Sequence, residues 1–297
     1  MSTTAFERSS LMGAAHPDPE PRKVLVRLKG GIGNQLFQYG FALQLAHGNP
    51  RNVVCLLDYF RTDAKHGGFA LQHLLGPEVL SAEAPPAGQR WAYVNADPLA
   101  DADLSFLRNS SVDVFVDGYF QHIGNFLPVL DTLRSMFSAQ FDQDLYVTKL
   151  RELLGRPYEE TLVAIHLRRG DYLNPEVRNA HGIPTPESML DCLPRIQAEH
   201  YCAVVFSDSE VAIDLPCPAI RLVGPQPRSL IGDIDELRLM SCCDRIIASN
   251  STFSYWAGML SNRVQRVFLP DPWMRSGSIR TTSLLTDRFE SYGTQLL

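Results

Sequence analysis

The sequence predicts an α/β protein built from two units of parallel sheet, and three features point to it. Apolar runs of strand length alternate with helix-length stretches, first over residues 23–58 and again, after a break, over 161–269. Most of these runs end in glycine, charged or small polar residues, the pattern of strands whose carboxyl ends face a ligand. At 297 residues the chain also exceeds one ordinary domain and suits two.

Composition narrows the function classes. Hydrophobic residues make up 45% of the chain and charged ones 20%, a globular balance that can fill a large core. A net charge of -6 and a pI near 5.7 argue against nucleic-acid binding through a general basic surface, so an anionic ligand must be held by a local cluster. The six cysteines (Cys55, Cys192, Cys202, Cys217, Cys242, Cys243) show no CxxC pair or metal-ligand spacing, which reads as buried reduced thiols. Residues 1–22 are polar, carry three prolines and lack the apolar segment of a secretory signal or membrane anchor. A disordered tail on a cytoplasmic protein is expected, and the sequons at Asn109 and Asn250 are then not read as glycan acceptors.

In the first unit, Lys23–Lys29 is a strand, Gly30-Gly31-Ile32-Gly33-Asn34-Gln35 the turn after it, and Leu36 to about His47 a helix ended by Gly48-Asn49-Pro50. Val53–Leu57 makes the next strand, closing on Asp58. This βαβ unit places backbone N–H groups and a helix amino terminus where an anion or sugar hydroxyl could approach. A dinucleotide-binding turn is the rival reading, and it fits imperfectly. Gly31-x-Gly33-x-x-Leu36 lacks the third glycine, and Asp58 lies beyond the ~20-residue spacing of a ribose-binding acid. Asn34 and Gln35 supply amides able to donate to phosphate or sugar oxygens, or else they cap the helix.

From Arg61 to Asn95 the pattern is weak. Val112–Val116 is a strand ending in Asp117-Gly118-Tyr119-Phe120-Gln121-His122, where Tyr119 and Gln121 line a sugar site unless the aromatics belong to the core. Helices over 126–141 and 145–154 follow, and Gly155-Arg156-Pro157 marks the boundary between units placed at 23–156 and 157–297.

The second unit restarts with Thr161–Leu167, which delivers His166, Arg168, Arg169 and Asp171 to a strand end. Paired guanidiniums there suit a phosphate or pyrophosphate because each is a planar fork of donors; a structural ion-pair cluster is the alternative. Arg169-Gly170-Asp171 is also the tripeptide of adhesion ligands, but that belongs on an exposed loop tip and not directly behind an apolar strand. An irregular loop with Asn174, Glu176, Arg178 and His181 leads to Thr185-Pro186-Glu187, the start of a helix to about His200. Cys202–Phe206 is a strand ending in Ser207-Asp208-Ser209-Glu210, where Asp208 accepts from a guanine or ribose or caps the next helix. Ala219–Val223 is a strand and 234–243 a helix. Arg245–Ala248 then enters Ser249-Asn250-Ser251-Thr252-Phe253-Ser254, an oxyanion cradle of hydroxyls and free helix N–H groups, before a helix over 255–260. Val264–Leu269 reads as the last strand, with Trp273 in an irregular tail and a short helix near Thr282. Three Asp-x-Asp triplets, Asp101–Asp103, Asp142–Asp144 and Asp233–Asp235, end no apolar strand and read as surface or cap acids, so no metal site is expected.

Five stretches, in this order, carry a family resemblance: Gly30 to Tyr39, Gly118-Tyr119-Phe120-Gln121, His166-Leu-Arg-Arg-Gly-Asp-Tyr172, Phe206-Ser-Asp-Ser209 and Ser249-Asn-Ser-Thr-Phe-Ser-Tyr-Trp256. Together they resemble the α-1,2-fucosyltransferase family over roughly residues 24–273. The His-x-Arg-Arg motif alone is shared with α-1,6- and protein O-fucosyltransferases, whereas the glycine stretch and Asn-Ser-Thr-Phe-Ser favour the α-1,2 group. The resemblance implies a GT-B fold, two facing Rossmann-like domains with a central cleft, GDP-fucose as donor and no metal or other cofactor. It places Arg168 on the β-phosphate, His166 on ribose or phosphate and Asp208 on guanine or ribose. Asn250, Ser251 and Thr252 would donate to the pyrophosphate, and Gly31, Gly33 and Asn34 would form the loop facing the reacting sugar. Tyr119, Gln121 and Glu176 fall on the acceptor side. The expected reaction is an inverting attack by the 2-hydroxyl of a galactose-containing glycan, with Asp171 as general base unless it pairs with Arg169. The tyrosine pair usual after the His181 loop is replaced by Pro186-Glu187-Ser188, a departure that bears on the acceptor.

Overall fold

The computed structural model describes residues 22–62, 68–96, 101–109, 112–155, 160–170, 172, 174–210, 213–223 and 230–297. Two sheets form its frame. The first contains β1 (Val24–Arg27), β2 (Val53–Leu56), β3 (Leu80–Ala82), β4 (Ala92–Asn95) and β5 (Val114–Asp117) in the order β3-β2-β1-β5-β4. The second contains β6 (Thr161–Leu167), β7 (Tyr201–Ser207), β8 (Ala219–Val223), β9 (Arg245–Ala248), β10 (Arg266–Asp271) and β11 (Phe289–Gly293) in the order β11-β10-β9-β6-β7-β8. Every pairing in both is parallel, so the two-sheet α/β architecture expected from the sequence is present. Parallel strands are covered on both faces and therefore read as continuous apolar runs. In β6 the alternation sorts the layers: Leu162 and Ala164 join the main core, while Val163, Ile165 and Leu167 join a second core with Met189, Leu193 and Tyr292.

Eight α-helices are found among the described residues: α1 (Ile32–Leu45), α2 (Leu71–Leu75), α3 (Leu130–Ser138), α4 (Gln143–Leu154), α5 (Pro175–His181), α6 (Pro186–Leu190), α7 (Leu230–Ser241) and α8 (Thr252–Leu260). Every residue of α1 except Asn34 is buried, as befits a helix packed on all sides. Its partners are β1 on one side and α8 on the other, and α3 also packs on α8. Phe37 of α1 stacks on Tyr255 of α8 with centroids 5.2 Å apart and meets Trp256 edge-on at 5.2 Å, while Phe126 lies 4.7 Å from Trp256. The main core accordingly runs without a break from the first sheet to the second.

Strands β3 and β4 and helix α2 fill the stretch whose pattern is weak, α7 begins four residues early, and four further elements differ from the sequence reading, each for a local reason. Helix α1 begins at Ile32 and not at Leu36, because Gly31 takes the extended cap conformation and Gly33 continues into helix. The 174–181 loop is a helix, capped by the Asn174 side chain accepting from the Glu176 N–H and opened by Pro175. The helix expected to reach His200 stops at Leu190, and after a 3-10 turn the chain bends at Gln197 in the left-handed region, φ 56°. The tail adds a parallel edge strand, β11, whose Phe-Glu-Ser-Tyr-Gly composition lacks an apolar run, so β10 is not the last strand. No helix among the described residues is long and apolar enough to cross a membrane. All six cysteines are free, and burial pushes each thiol above its ordinary pKa, as in unreactive core positions.

Because the halves share one core, they should unfold together. Phe37→Ala is expected to cost about 3–5 kcal/mol, the range for emptying a buried aromatic site. Urea titrations followed by tryptophan fluorescence and far-UV circular dichroism should give coincident midpoints in both proteins; separated midpoints would mean that the halves are independent.

Candidate functional site

The carboxyl edges of the two sheets meet where α1 packs on α8. Strand β1 runs through Gly30 and Gly31 into α1, and β9 runs through Ser249, Asn250 and Ser251 into α8. A Cβ on Gly33 would lie 2.5 Å from the Thr252 carbonyl carbon and from its Oγ1. The first turns of α1 and α8 therefore touch, and two helix amino termini with their partial positive charge lie beside one another. Gly33 is thus a packing residue inside α1, and the expected loop facing the sugar shortens to Gly30 and Gly31. Gly30 takes φ +74°, where a side chain would be strained.

The glutamines of the glycine stretch hold this turn. Gln38 accepts from the Lys29 N–H at 3.0 Å, and fully buried Gln35 donates to the carbonyls of Gly30 at 3.0 Å and Gly68 at 2.8 Å while accepting from Ala70 at 3.1 Å. Asn34 faces a different partner: its Oδ1 accepts from Gln121 Nε2 at 2.9 Å, so these two predicted site residues do come together. Gln121 reaches it because Phe120 sits at φ 53°, a costly conformation for a bulky residue, with its ring 4.4 Å from Phe41.

On the second sheet, Arg168 follows β6 and is partly exposed. Its backbone N–H donates to Ser249 Oγ at 3.3 Å, and its guanidinium lies 3.2 Å from Asp208 Oδ2. The other Asp208 oxygen accepts from the Arg169 N–H at 2.8 Å. Asp208 is buried and engaged with these two arginines, so it orients Arg168; the alternative as a helix cap has no helix to serve, since none begins after β7 among the described residues before α7. A Cβ on Gly170 would fall 2.6 Å from the Asp208 carboxylate, so a side chain there would push on the group that holds Arg168. His166 is buried beneath the same turn, its Nδ1 3.4 Å from Ser249 Oγ and its ring 5.7 Å from that of Phe253, a supporting position below the surface.

The cradle itself divides by role. Ser251 caps α8 by accepting from the Phe253 N–H at 3.3 Å, and its hydroxyl proton is still available to an acceptor. Asn250 donates its side-chain amide to the carbonyls of His181 at 3.0 Å and Gly182 at 3.1 Å, so both side-chain N–H groups are engaged within the protein. Those two carbonyls belong to a segment clipped by the end of the chain: Ile183 and Leu297 exchange backbone hydrogen bonds, and Pro184 bridges to Leu296. Tyr172, not singled out in the sequence, donates its hydroxyl to the Asn250 carbonyl at 3.2 Å, and the Arg168 Cζ lies 5.9 Å from its ring centre. Glu176 is exposed in the first turn of α5. Asp171 lies outside the described residues.

The edge of the first sheet carries a second network that sequence reading missed. Arg27 makes a fork onto Asp58 at 2.9 and 3.1 Å and reaches Asp117 at 2.6 Å; Lys29 meets the other Asp117 oxygen at 2.9 Å and lies 5.0 Å from the Tyr119 ring centre. Alternate charged residues ending β1, each opposite a strand-end aspartate, were the available signal. Burial by itself raises the Asp117 pKa, but the hydrogen bonds and charges of Lys29 and Arg27 outweigh it and hold the carboxyl below its ordinary value. The Asp-x-Asp triplets contribute no such convergence. Asp142 caps α4, Asp101 pairs with Arg280, and Asp235 with Tyr146 and Arg238. Among the described residues no cluster of three or more His, Cys, Asp or Glu gathers in a metal-binding arrangement.

With two parallel sheets meeting at an arginine and a pair of helix termini, the chain has the form of a glycosyltransferase. Residues 90–275 match the model of glycosyl transferase family 11, and the chain belongs to that family. It is 27% identical over 272 residues to an α-1,2-colitosyltransferase of Escherichia coli, covering 84% of this chain and 92% of the relative. It is 25% identical over 248 residues to galactoside α-(1,2)-fucosyltransferase 1 of Alouatta belzebul, covering 78% of this chain but only 63% of the length of that relative. Among solved structures, the fucosyltransferase NodZ from Bradyrhizobium aligns with 84% of this chain and 94% of its own at 14% identity and a TM-score of 0.48, too distant to inform the site.

The Asp117 network yields a pH prediction. A carboxyl whose folded pKa is depressed adds stability that is complete above its unfolded value, about 3.9, and is lost as pH falls through the lower folded value. Asp117→Asn should therefore melt below the wild type at pH 7, with the gap closing as pH drops below about 4. A gap that is constant down to pH 2.5 would show that the charge of Asp117 is not what stabilises.

Proposed function

We propose that the protein transfers L-fucose from GDP-β-L-fucose to the 2-hydroxyl of a galactoside, with inversion and without a metal, in the cytoplasm. The observation that carries this reading is the placement of Arg168. It stands at a central strand end, held by Asp208, next to the Ser249–Ser251 turn and the amino terminus of α8. A departing nucleotide pyrophosphate needs that combination of a fixed cation, a hydroxyl and helix N–H groups.

In the proposed reaction the acceptor oxygen attacks the anomeric carbon on the face opposite the nucleotide. The carbon–oxygen bond to the β-phosphate breaks, its electron pair leaves with GDP, and the hydroxyl proton passes to a base. Arg168 and the Ser251 hydroxyl would meet the charge that grows on the β-phosphate. Asp171 is proposed as the base from its place beside the two arginines in the sequence. Asp117 is poorly suited to that role, since two cations hold its carboxylate in the ionised, weakly basic form. On the acceptor side, the Asn34–Gln121 pair and Tyr119 line the edge of the first sheet. A second reading, transfer of colitose, is favoured by the E. coli relative. Colitose is L-fucose without its 3-hydroxyl, so both donors would suit the same phosphate site.

The test is acceptor-dependent release of GDP, with GDP-fucose and GDP-colitose supplied separately, lactose as acceptor and EDTA in parallel. Release from GDP-fucose that survives EDTA and falls by at least 10²–10³ in Arg168→Ala is expected, the usual cost of one preorganised donor at a developing anion. Dependence on a divalent ion, or full activity in the variant, would overturn the site; faster release from GDP-colitose would replace the sugar and leave the site standing. Linkage analysis of the product would decide the 2-position.

A further inference from the structure

Tyr172 joins parts of the second-sheet site that are otherwise separate in sequence. Its ring lies under the Arg168 guanidinium, with Cζ 5.9 Å from the ring centre. The same ring stacks on His181 with centroids 4.9 Å apart and planes inclined by 29°. Its hydroxyl donates to the Asn250 carbonyl at 3.2 Å, immediately before the residue that caps α8. Asn250 closes the circuit, since its side-chain amide donates to the His181 carbonyl at 3.0 Å. The arginine, the turn entering α8 and the end of α5 are thus tied to one aromatic side chain.

Arg168 needs such support. An arginine side chain has several rotatable bonds, and 27% of this one is exposed to water. Asp208 holds one end of the guanidinium by charge, at 3.2 Å, and the Tyr172 ring meets its flat face. An aromatic face attracts the cation and limits the remaining freedom, while the hydroxyl bond locks the ring to the turn that carries Ser251. We propose that Tyr172 is a positioning residue, which sets the Arg168 guanidinium in register with the Ser249–Ser251 turn so that both meet the same phosphate. This rests on reading Arg168 as the phosphate-binding group.

Two substitutions separate the ring from the hydroxyl, and a double-mutant cycle separates positioning from folding. Binding of GDP is measured by calorimetry for the wild type, Tyr172→Phe, Tyr172→Leu, Arg168→Lys and the Tyr172→Leu/Arg168→Lys double variant, with kcat and acceptor KM for each and a melting curve as control. Tyr172→Leu is expected to weaken GDP binding on the order of tenfold and to lower kcat with acceptor KM unchanged, while Tyr172→Phe keeps most of the affinity. In the Arg168→Lys background the leucine substitution should add little, because the group through which Tyr172 acts is already altered. Equal GDP affinity in the wild type and Tyr172→Leu, or losses that simply multiply in the double variant, would overturn the proposal. If Tyr172→Leu does not fold, the cycle is run with Tyr172→Met, whose loss must likewise vanish beside Arg168→Lys. Failure of the wild type to bind GDP, or binding indifferent to Arg168, would instead remove the underlying reading of the site.

Discussion

The contact between Gly33 and Thr252 is the constraint on which the rest of the molecule depends. Each half of the chain builds a parallel sheet and sends a helix away from a central strand end, α1 after β1 and α8 after β9. Both helices pack between the sheets, and they can share that space only where a side chain is missing. With any larger residue at position 33 a Cβ would meet Thr252 at 2.5 Å, and the helix starts would separate. The position of the glycine turn relative to the Ser249–Ser251 turn follows from that one approach, and so does the geometry in which two helix dipoles converge.

The two strand edges brought together in this way differ in electrostatic character. On the first sheet, Arg27 and Lys29 are matched by Asp58 and Asp117, a network that is neutral overall. On the second, the Arg168 guanidinium pairs with Asp208, whose other oxygen is taken by the Arg169 backbone N–H, and α8 adds its amino terminus. In a chain with a net charge of -6, this asymmetry is local and comes from the site itself. It is what the proposed phosphate site on the second sheet rests on.

Much of this was legible in the sequence because strand-end chemistry is local. The runs Thr161–Leu167 and Arg245–Ala248 announce buried parallel strands, and the polar residues that follow them, Arg168 and Ser249 to Thr252, fall where the strands deliver them. What stayed hidden depends on distant partners. Gln35 reads as a ligand amide and His166 as a donor group in their motifs, and only the fold shows that both also secure turns from below. Asn250 looks like a donor to phosphate, but the carbonyls of His181 and Gly182, almost seventy residues earlier, take both its N–H bonds. The Arg27–Asp117 pair spans ninety positions, and only the alternate charges at the end of β1 hint at it. Strand β11 was missed because an edge strand needs only one apolar face, and its alternation is too short to stand out.

A shared core also limits how the two edges can move about a substrate. Opening the halves as rigid bodies would pull Phe37 and Phe126 away from Tyr255 and Trp256, all of which are fully buried. An aromatic side chain buries about 150–250 Å², so exposing only two of them costs about 10 kcal/mol at roughly 25 cal/mol per Å². That is comparable with the whole stability of a typical folded domain. Rearrangement during a reaction is therefore confined to the segments outside this plug: the glycine turn, the Phe120 corner and the strand-end turns around Arg168. The helices α1 and α8 hold the distance between the edges constant, and the pre-set geometry of the two strand-end turns follows from their packing.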